Sequence, residues 1–378
     1  MVKIAIIGAS YLQNPLILKA KDMGYETHVF AWKSGDIGEK NADYFYPISI
    51  IEKENILEKC KEIGVNGICS IASDLAMVTV NYVADKMGLC GNSLECTRKS
   101  TNKYQMRKAL SEYGVLCPKF ILADDLCDYD KLGIDYPIIV KPTDRSGSRA
   151  VTRLESNVGI TTAITTARDV SFEKKAIIEK YIKGKEYSIE GISYNGEYKL
   201  LAITEKFTTG IPNFIEKGHF EPAPLADTEI NKIRKTVTEA LDALEIKNGA
   251  SHSEILITDS KEIYIVEIGG RMGGDCIGSS LVKYTTGIDF VKAVIDVALG
   301  KKPNLTVGEK YKAAGIKYIF DESDLEYLNR LHKEHPEIIV EEEIEGISDR
   351  KVVDSSTRFG YYILAGDDID LIKKIIEY

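Results

Sequence analysis

The chain has 378 residues and a net charge of −9, with 44% of its residues hydrophobic and 28% charged. These fractions are those of an ordinary soluble protein, and the length allows two or three packed domains. The acidic balance argues against a general nucleic-acid binder, because phosphate neutralisation needs clustered Lys and Arg. A small anionic ligand is still compatible, since it needs only a local positive pocket.

The apolar runs are short, as at residues 4–7 and 137–140. Spanning a bilayer takes about 20 apolar residues. The N-terminus reads directly into a predicted strand, with no small-residue cleavage site behind it. We therefore expect a cytoplasmic protein that contacts neither membrane nor nucleic acid.

Seven cysteines are scattered along the chain, at positions 60, 69, 90, 96, 117, 127 and 276. Their number is odd and none form a Cys-x-x-Cys pair, which argues against a disulfide framework or a zinc site. We expect ordinary free thiols.

Residues 1–97 alternate apolar strands with helical stretches. The run Val2–Ile7 opens the chain, and further strands are predicted near 26–30, 44–48 and 67–70. This alternation is typical of a parallel sheet with helices on both faces. The segment is predicted to be a Rossmann-like domain.

Two turns of this segment leave alternatives open. The turn at Gly8–Ser10 lacks the Gly-x-Gly-x-x-Gly of dinucleotide sites. It is either a structural turn or a contact of Ser10 with a substrate carboxylate or phosphate, since a helix N-terminus offers free N–H groups. Ser73 and Asp74 also follow a strand. They form either a helix N-cap, the simpler interpretation, or a contact of Asp74 with substrate.

The pattern changes after residue 97. A Lys/Arg-rich helix near 102–113, short strands, a polar loop at 142–150 and a helix near 160–169 predict a small α+β unit. Residues 184–300 show antiparallel-looking strands around one long helix, and residues 301–378 two or three strands and a terminal helix. The acidic run Glu341–Glu345 favours a solvated face or an edge strand over a site. We expect four segments, 1–97, 98–183, 184–300 and 301–378.

The strongest chemical pattern lies in residues 251–275. Two alternating strands joined by a short turn predict a hairpin, which brings Glu254 and Glu267 together across the ladder. Like charges directly opposite are unfavourable, whereas carboxylates together with phosphate oxygens are how proteins hold Mg²⁺. A metal site is therefore favoured over two surface glutamates. Arg271 follows in a Gly-rich turn, where its planar guanidinium could bind a carboxylate or a phosphate through two parallel hydrogen bonds.

A second group of residues suits a nucleotide. Lys141 ends an apolar strand, and the small-residue loop Ser146–Ser148 follows it. A lysine and a loop rich in N–H groups can hold a phosphate tail, although a lysine at a strand end is more often only snorkelling. The strand carrying Glu179 ends at Gly184. Its exit can present N–H and C=O groups to an adenine edge.

The order and spacing of these residues resemble those of the ATP-grasp superfamily. Within that superfamily, the chain resembles the carboxylate–amine ligases related to bacterial L-amino acid ligases, biotin carboxylase and carbamoyl-phosphate synthase. The resemblance covers nearly the whole chain. It rests on Asn102-Lys103, Ile139–Pro142, Ile178–Ile182 with Glu186 behind it, and Glu254 with Glu267-x-x-x-Arg271. It implies an α/β and α+β fold: a Rossmann-like N-terminal domain, a small lid domain and a larger antiparallel-sheet C-terminal domain.

The resemblance also implies roles for individual residues. It assigns ATP binding to Lys103, Lys141, Ser146, Gly147, Ser148, Glu179, Tyr181, Ile182, Glu186 and Lys206. It assigns the metal to Glu254 and Glu267, and the substrate pocket to Arg271, Gly273, Gly274 and the segment Gly218–Pro222 with His219. His219 either stabilises an intermediate or accepts a proton, or it only shapes the pocket.

One departure bears on the metal. Many relatives have Glu-x-Asn at the second metal position, where this chain has Glu267-Ile268-Gly269. We therefore expect one Mg²⁺ ion, with Mn²⁺ as a substitute, and leave a second ion open. His252 can lie near the metal, but a hairpin histidine is more often only packed or hydrogen-bonded.

The reaction implied by the resemblance has two steps. A carboxylate attacks the γ-phosphate of ATP to give an acyl phosphate and ADP, and an amine then displaces phosphate to form an amide. Lysines, magnesium and Arg271 suit this chemistry, because phosphoryl transfer depends on positioning and charge neutralisation. The acid is expected to be an amino acid or a similar small carboxylate.

Two other functions stay open at this stage: a bicarbonate-activating carboxylase of the purine or biotin carboxylase kind, and a non-catalytic ATP sensor. A nicotinamide-dependent oxidoreductase is disfavoured by the missing glycine fingerprint. The expected partners are a small carboxylate and an amine. The oligomeric state is open, although many relatives are dimers.

Overall fold

The computed structural model describes residues 1–123, 133–210 and 215–378. They form three sheets: four strands, eight strands and four strands. Cys127 lies outside the described residues, and the other six cysteines are free thiols, as expected. Within the described ranges, no helix is both long and apolar enough to cross a membrane.

The first sheet is parallel, in the order β3-β2-β1-β4, which confirms the Rossmann-like prediction. Its strands are β1 (Lys3–Ile7), β2 (Glu26–Phe30), β3 (Tyr44–Tyr46) and β4 (Gly67–Cys69). Its helices are α1 (Asn14–Asp22), α2 (Ile37–Asn41), α3 (Lys53–Ile63) and α4 (Asp74–Met87). Ser73 is the N-cap of α4, because its hydroxyl accepts from the Ala76 N–H. The simpler interpretation of that turn is therefore confirmed.

Two helices lead to the second sheet: α5 (Leu94–Thr101) and α6 (Lys103–Glu112). The lid sheet is antiparallel in the order β5-β8-β6-β7. It consists of β5 (Phe120–Ala123), β6 (Ile138–Pro142), β7 (Thr152–Leu154) and β8 (Ala176–Lys180), and it is covered by α7 (Ile160–Val170).

The third sheet has eight antiparallel strands in the order β13-β12-β9-β10-β11-β14-β16-β15. Its strands are β9 (Lys185–Tyr194), β10 (Glu197–Thr208), β11 (Glu216–Glu221), β12 (Gly249–Ile257), β13 (Ile263–Gly269), β14 (Ala313–Tyr318), β15 (Ile339–Ile344) and β16 (Gly360–Gly366). Strands from both sides of residue 300 pair directly, as β11 does with β14. A boundary at that residue therefore does not separate two sheets.

Five helices accompany this sheet: α8 (Asp227–Leu244), α9 (Val282–Thr286), α10 (Phe290–Ala298), α11 (Glu322–Glu334) and α12 (Ile369–Glu377). A π-helical turn, Ile277–Leu281, and 3₁₀ turns at Pro336–Ile338 and Ser355–Thr357 complete the secondary structure of the described residues. Helix α11 was not predicted. Only Leu328 and Leu331 of this helix are buried. Its apolar face is therefore narrow, and the helical period is weak in the sequence.

Helix α10 joins the first sheet to the third. Its residues are buried nearly all round, including Phe290, Val294 and Ile295. They share one core cluster with Ile4 of the first sheet and Ile192 of the third. A helix that is apolar on every side is stable only when it is covered on every side. This packing brings the start of α4 against the turn that follows β13.

Candidate active site

A cavity of about 240 Å³ lies between the lid sheet and the eight-stranded sheet. All ten residues expected to bind ATP line it, together with both expected metal ligands and Arg271. Six further apolar side chains contribute to the wall: Pro118, Ile139, Pro142, Val151, Leu256 and Val266. The cavity thus has the mixture of apolar surface and a few charged groups that small-molecule sites show. We call it the nucleotide cavity.

The hairpin of β12 and β13 places Glu254 directly opposite Glu267, as predicted. In the structure each carboxylate holds a lysine: Lys206 Nζ donates to Glu254 at 2.9 Å, and Lys103 Nζ donates to Glu267 at 2.7 Å. Burial lowers the pKa of Lys206, but the charges of Glu254 and Glu186 outweigh it and raise that pKa well above its usual value. The Lys206–Glu254 pair is therefore charged at neutral pH.

The two glutamates fit a magnesium ion that is shared with phosphates. Both are partly buried and line the cavity. In the ranges the structure describes, no group of three or more His, Cys, Asp and Glu side chains could enclose a metal. Mg²⁺ commonly takes one or two carboxylates and completes its shell with waters and substrate phosphates. The donor set suits that arrangement.

Lys141 is held by a buried ion-pair cluster that the sequence did not predict. Glu179 Oε2 lies 2.7 Å from Lys141 Nζ, and its Oε1 lies 2.8 Å from Arg107 Nε. Burial raises the pKa of Glu179, but the charges of Arg107 and Lys141 prevail and lower it. The carboxylate of Glu179 is thus engaged with cations. Glu186, whose side chain is 40% exposed, is the more accessible acid near the strand exit.

The loop at 145–150 bridges the lid and the hairpin. Ser146 and Gly147 are exposed, and Gly147 (φ +73°) and Ser148 (φ +54°) adopt left-handed backbone. Lys103 Nζ donates to the backbone O of Arg145 at 2.7 Å as well as to Glu267. The loop is therefore anchored at its start by the lysine that pairs with Glu267, while its tip lines the cavity.

Arg271 already has a partner. Its Nε and Nη2 donate to the two oxygens of Asp74, each at 2.9 Å. This bidentate pair joins the start of α4 to the turn after β13 across 197 positions of sequence. Gly273 in the same turn donates its N–H to Glu190 at 3.0 Å, and Gly274 lies beside Ala72. Ser10 donates to Gln13 at 2.8 Å.

His219 lies on β11 and is 1% exposed. Its Nε2 is 3.5 Å from Asp275 Oδ2, and its ring makes an edge contact with Tyr318. Asp275 also accepts from both terminal nitrogens of Arg358, at 2.8 and 3.3 Å. Burial raises the pKa of Asp275, but Arg358 and His219 lower it further than burial raises it. The sequence analysis missed Arg358, which lies 83 positions away from Asp275.

His252 is tied to a buried acid behind the metal site. Its Nδ1 is 2.5 Å from Glu190 Oε1, and its Nε2 is 3.6 Å from Glu254. Burial lowers the pKa of His252, but Glu190 and Glu254 raise it to about 9. A Cβ on Gly273 would meet Glu190 at 2.2 Å. Glycine is therefore required where this turn crosses the buried pair.

Two further cavities adjoin the phosphate end of the nucleotide cavity. One, of about 560 Å³, lies toward the first sheet and shares Lys103, Arg145, Ser146 and Glu267 with the nucleotide cavity. Asp74 and Ser73 also line it, and we call it the amino-terminal cavity. The other, of about 300 Å³, lies beyond Gly147 toward the C-terminal strands.

The sequence and the fold were compared with known proteins. Residues 134–279 match the ATP-grasp domain family. Alanine–anticapsin ligase of Bacillus subtilis is 27% identical over 337 residues, which cover 79% of this chain and 71% of that protein. The crystal structure of L-amino acid ligase from Bacillus licheniformis superposes with a TM-score of 0.83 at 22% identity, covering 100% of this chain and 96% of that one.

A third similar protein has the same fold with ligands bound. The biotin carboxylase domain of Hydrogenobacter thermophilus 2-oxoglutarate carboxylase, in complex with ADP, magnesium and bicarbonate, superposes with a TM-score of 0.76 at 16% identity. The match covers 96% of this chain and 86% of that one. The family match includes Lys141, Glu179, Glu254, Glu267 and Arg271. Residues 134–279 are therefore an ATP-grasp domain, and the two proteins that the chain resembles over most of its length are ligases.

Proposed function

We propose that this ligase joins a small carboxylate, such as an amino acid, to an amine through an acyl phosphate, with release of ADP and phosphate. One observation carries the proposal. The ion pairs Lys103–Glu267 and Lys206–Glu254 line one cavity, and their glutamates lie on the two neighbouring strands of the hairpin. Two carboxylates for a metal and two lysines for phosphates are thus assembled in one place.

The lysine–glutamate pairs would exchange partners when nucleotide binds. Mg²⁺, held by Glu254 and Glu267, would supply charge neutralisation to the phosphates. Lys103 and Lys206 would then turn from carboxylates to phosphate oxygens, which compensate their charge equally well, while Lys141 would add its charge from its place beside Glu179. Such preorganised cations lower the barrier to phosphoryl transfer because they need little rearrangement during the reaction.

The adenosine end of the nucleotide is assigned to the exit of β8. The backbone of Tyr181 and Ile182 would read the adenine edge, and Glu186 would accept the ribose hydroxyls. Glu179 acts indirectly, by holding Lys141 in place and charged. Ser146, Gly147 and Ser148 would close over the phosphates with their N–H groups. Closure also keeps water from the acyl phosphate, which water would otherwise hydrolyse.

We assign the carboxylate substrate to the amino-terminal cavity, because that cavity meets the nucleotide cavity at Lys103 and Glu267. A carboxylate oxygen attacks the γ-phosphorus and the bond to the β-phosphate oxygen breaks, which releases ADP. The amine nitrogen then attacks the acyl carbon and phosphate leaves. We propose His219, whose Nε2 lies 3.5 Å from Asp275, as the acceptor of the proton from the amine. Arg271, Gly273 and Gly274 shape the turn between the substrates.

A screen of ADP and phosphate release tests the proposal. The protein is given Mg²⁺·ATP with amino acids singly and in pairs, and products are identified by mass spectrometry. We expect release that requires both a carboxylate and an amine, with amide formed in equal amount. Release that depends on bicarbonate and not on amino acids would favour a carboxylase instead. Tight ATP binding with no release across the panel would favour a sensor.

A further inference from the structure

The cavity of about 300 Å³ beyond Gly147 has a distinctive wall, and we call it the tyrosine cavity. The rings of Tyr11, Tyr318 and Tyr361 line it. Tyr361 lies between the other two, with its ring centroid 6.4 Å from each. Aromatic faces attract organic cations, because the ring quadrupole is negative above and below its plane. Arg358 already lies over the Tyr318 ring, with its Cζ 3.5 Å from the ring centroid. The neighbouring rings of Tyr11 and Tyr361 offer a ligand's ammonium or guanidinium group the same kind of contact.

The charges of the tyrosine cavity have the same preference. Four carboxylates and two guanidinium groups line it: Asp275, Glu343, Glu345, Asp354, Arg149 and Arg358. Most of the carboxylates are already engaged. Asp275 pairs with Arg358, Glu345 with Arg350, and Asp354 caps the turn at Ser356.

Glu343 is different. It lies on the edge strand β15 and accepts from the Tyr361 hydroxyl at 3.2 Å. Among the ion pairs of the described ranges, none includes Glu343, whereas the neighbouring Glu342 pairs with His332 at 2.9 Å. Because successive side chains of a strand point to opposite faces, Glu343 reaches the cavity and Glu342 does not. The acidic run is an edge strand, as expected, yet one of its residues lines a cavity.

The tyrosine cavity is also connected to the reacting end of the nucleotide cavity. Ser355 lines the tyrosine cavity and donates to Glu216 at 2.5 Å. Glu216 lines the nucleotide cavity, 3.8 Å from Lys206. Behind the wall, Nε2 of the buried His219 is 3.5 Å from Asp275, and neither of its ring nitrogens makes a well-directed hydrogen bond to a described residue. A ligand here would lie beside the proposed proton acceptor.

We propose that the tyrosine cavity binds the amine substrate and selects one with a second positive charge, a basic amino acid, whose side-chain cation contacts Glu343 within the tyrosine rings. This inference rests on the proposed function and names the substrate class for its second step. Arg149, exposed on the loop that closes over the phosphates, is positioned to take the carboxylate of that amino acid. Its contact would couple binding of the amine to closure of the loop.

Lysine and norleucine test the charge at nearly constant shape, because norleucine lacks only the terminal ammonium. With wild-type protein and a fixed carboxylate, we expect kcat/KM for lysine to exceed that for norleucine by at least about tenfold, the effect of one charge-assisted hydrogen bond. Glu343→Gln should remove most of the preference by raising KM for lysine. Glu342→Gln, on the opposite face of the strand, should leave it unchanged. Equal use of lysine and norleucine by wild type would overturn the inference.

A binding measurement separates this inference from the ligase function. Calorimetry of lysine and norleucine is run with Mg²⁺·ADP present, on wild type, Glu343→Gln and Glu342→Gln. Preferential lysine binding that is lost only in Glu343→Gln supports the cavity assignment even if no carboxylate in the panel gives turnover. Turnover with neutral amines, without any lysine preference in binding, would refute the cavity assignment and leave the ligase function standing.

Discussion

Glu179→Gln tests whether one buried carboxylate holds the nucleotide lysine in place. The amide preserves the shape of the side chain but removes the counter-charge of Arg107 and Lys141. The Arg107 side chain is 0% exposed and that of Lys141 is 8% exposed. Removing one partner of a buried ion pair costs about 3–5 kcal/mol, since the remaining charge is left uncompensated. We expect a loss of this size in the stability of the lid.

The same change should weaken ATP binding. Burial lowers the pKa of Lys141, and the negative charge of Glu179 is the largest of the effects that raise it again. Without Glu179, Lys141 loses its proton more readily and is no longer held in place, so the phosphate site keeps less of the Lys141 ammonium at neutral pH, and less still as the pH rises. The ATP dissociation constant, measured by calorimetry at pH 7 and pH 9, should rise in Glu179→Gln, with the larger rise at pH 9.

Glu155→Gln is the matched control in the same lid. Glu155 pairs with Arg153 at 2.7 Å, but its side chain is 68% exposed. Exposed pairs contribute about 0–1 kcal/mol, so this variant should unfold and bind ATP nearly as wild type does. If thermal unfolding and ATP titration do not distinguish Glu179→Gln from Glu155→Gln, the buried cluster does not have the role argued for it.

Three further changes test other parts of the site. Glu267→Gln should abolish ADP formation, while its circular dichroism and thermal unfolding stay those of wild type. The matched variant Glu262→Gln, in the exposed hairpin turn, should be fully active. Undiminished turnover in Glu267→Gln would exclude a role for Glu267 as a metal ligand. Arg271→Ala leaves the carboxylate of Asp74 without its bidentate partner. The KM for the carboxylate substrate should therefore rise far more than the ATP dissociation constant. A larger rise in the ATP dissociation constant would place Arg271 in the phosphate site. Burial raises the pKa of Glu221 from 4.5 to about 7, against hydrogen bonds from two threonines. Its folded form therefore binds a proton that the unfolded chain has released. Wild-type stability should fall relative to Glu221→Gln as the pH rises from 4.5 to 7, by up to about 3 kcal/mol, and parallel stability curves would contradict this.

Local patterns predicted much of the site. The alternation of residues 251–268 placed Glu254 opposite Glu267, and the strand ending at Lys141 with its small-residue loop indicated a phosphate site. The hairpin register is confirmed, because the period of a strand and the short reach of a hairpin are set by neighbouring residues, while the phosphate site stays a prediction. The same reasoning could not show which lysine pairs with which glutamate, since that depends on strands and helices far apart in sequence.

What the sequence determined by itself is therefore the type of most elements, the parallel first sheet, the hairpin register and the charged residues that the nucleotide cavity brings together. Only the tertiary structure shows that Asp74 pairs with Arg271 and that Arg107 and Lys141 both pair with Glu179. It alone also shows that Glu343, in the acidic edge strand, lines a cavity. The physical reason is distance along the chain. Packing between elements far apart in the chain, rather than any local pattern, sets which charges meet, and burial then shifts their pKa values.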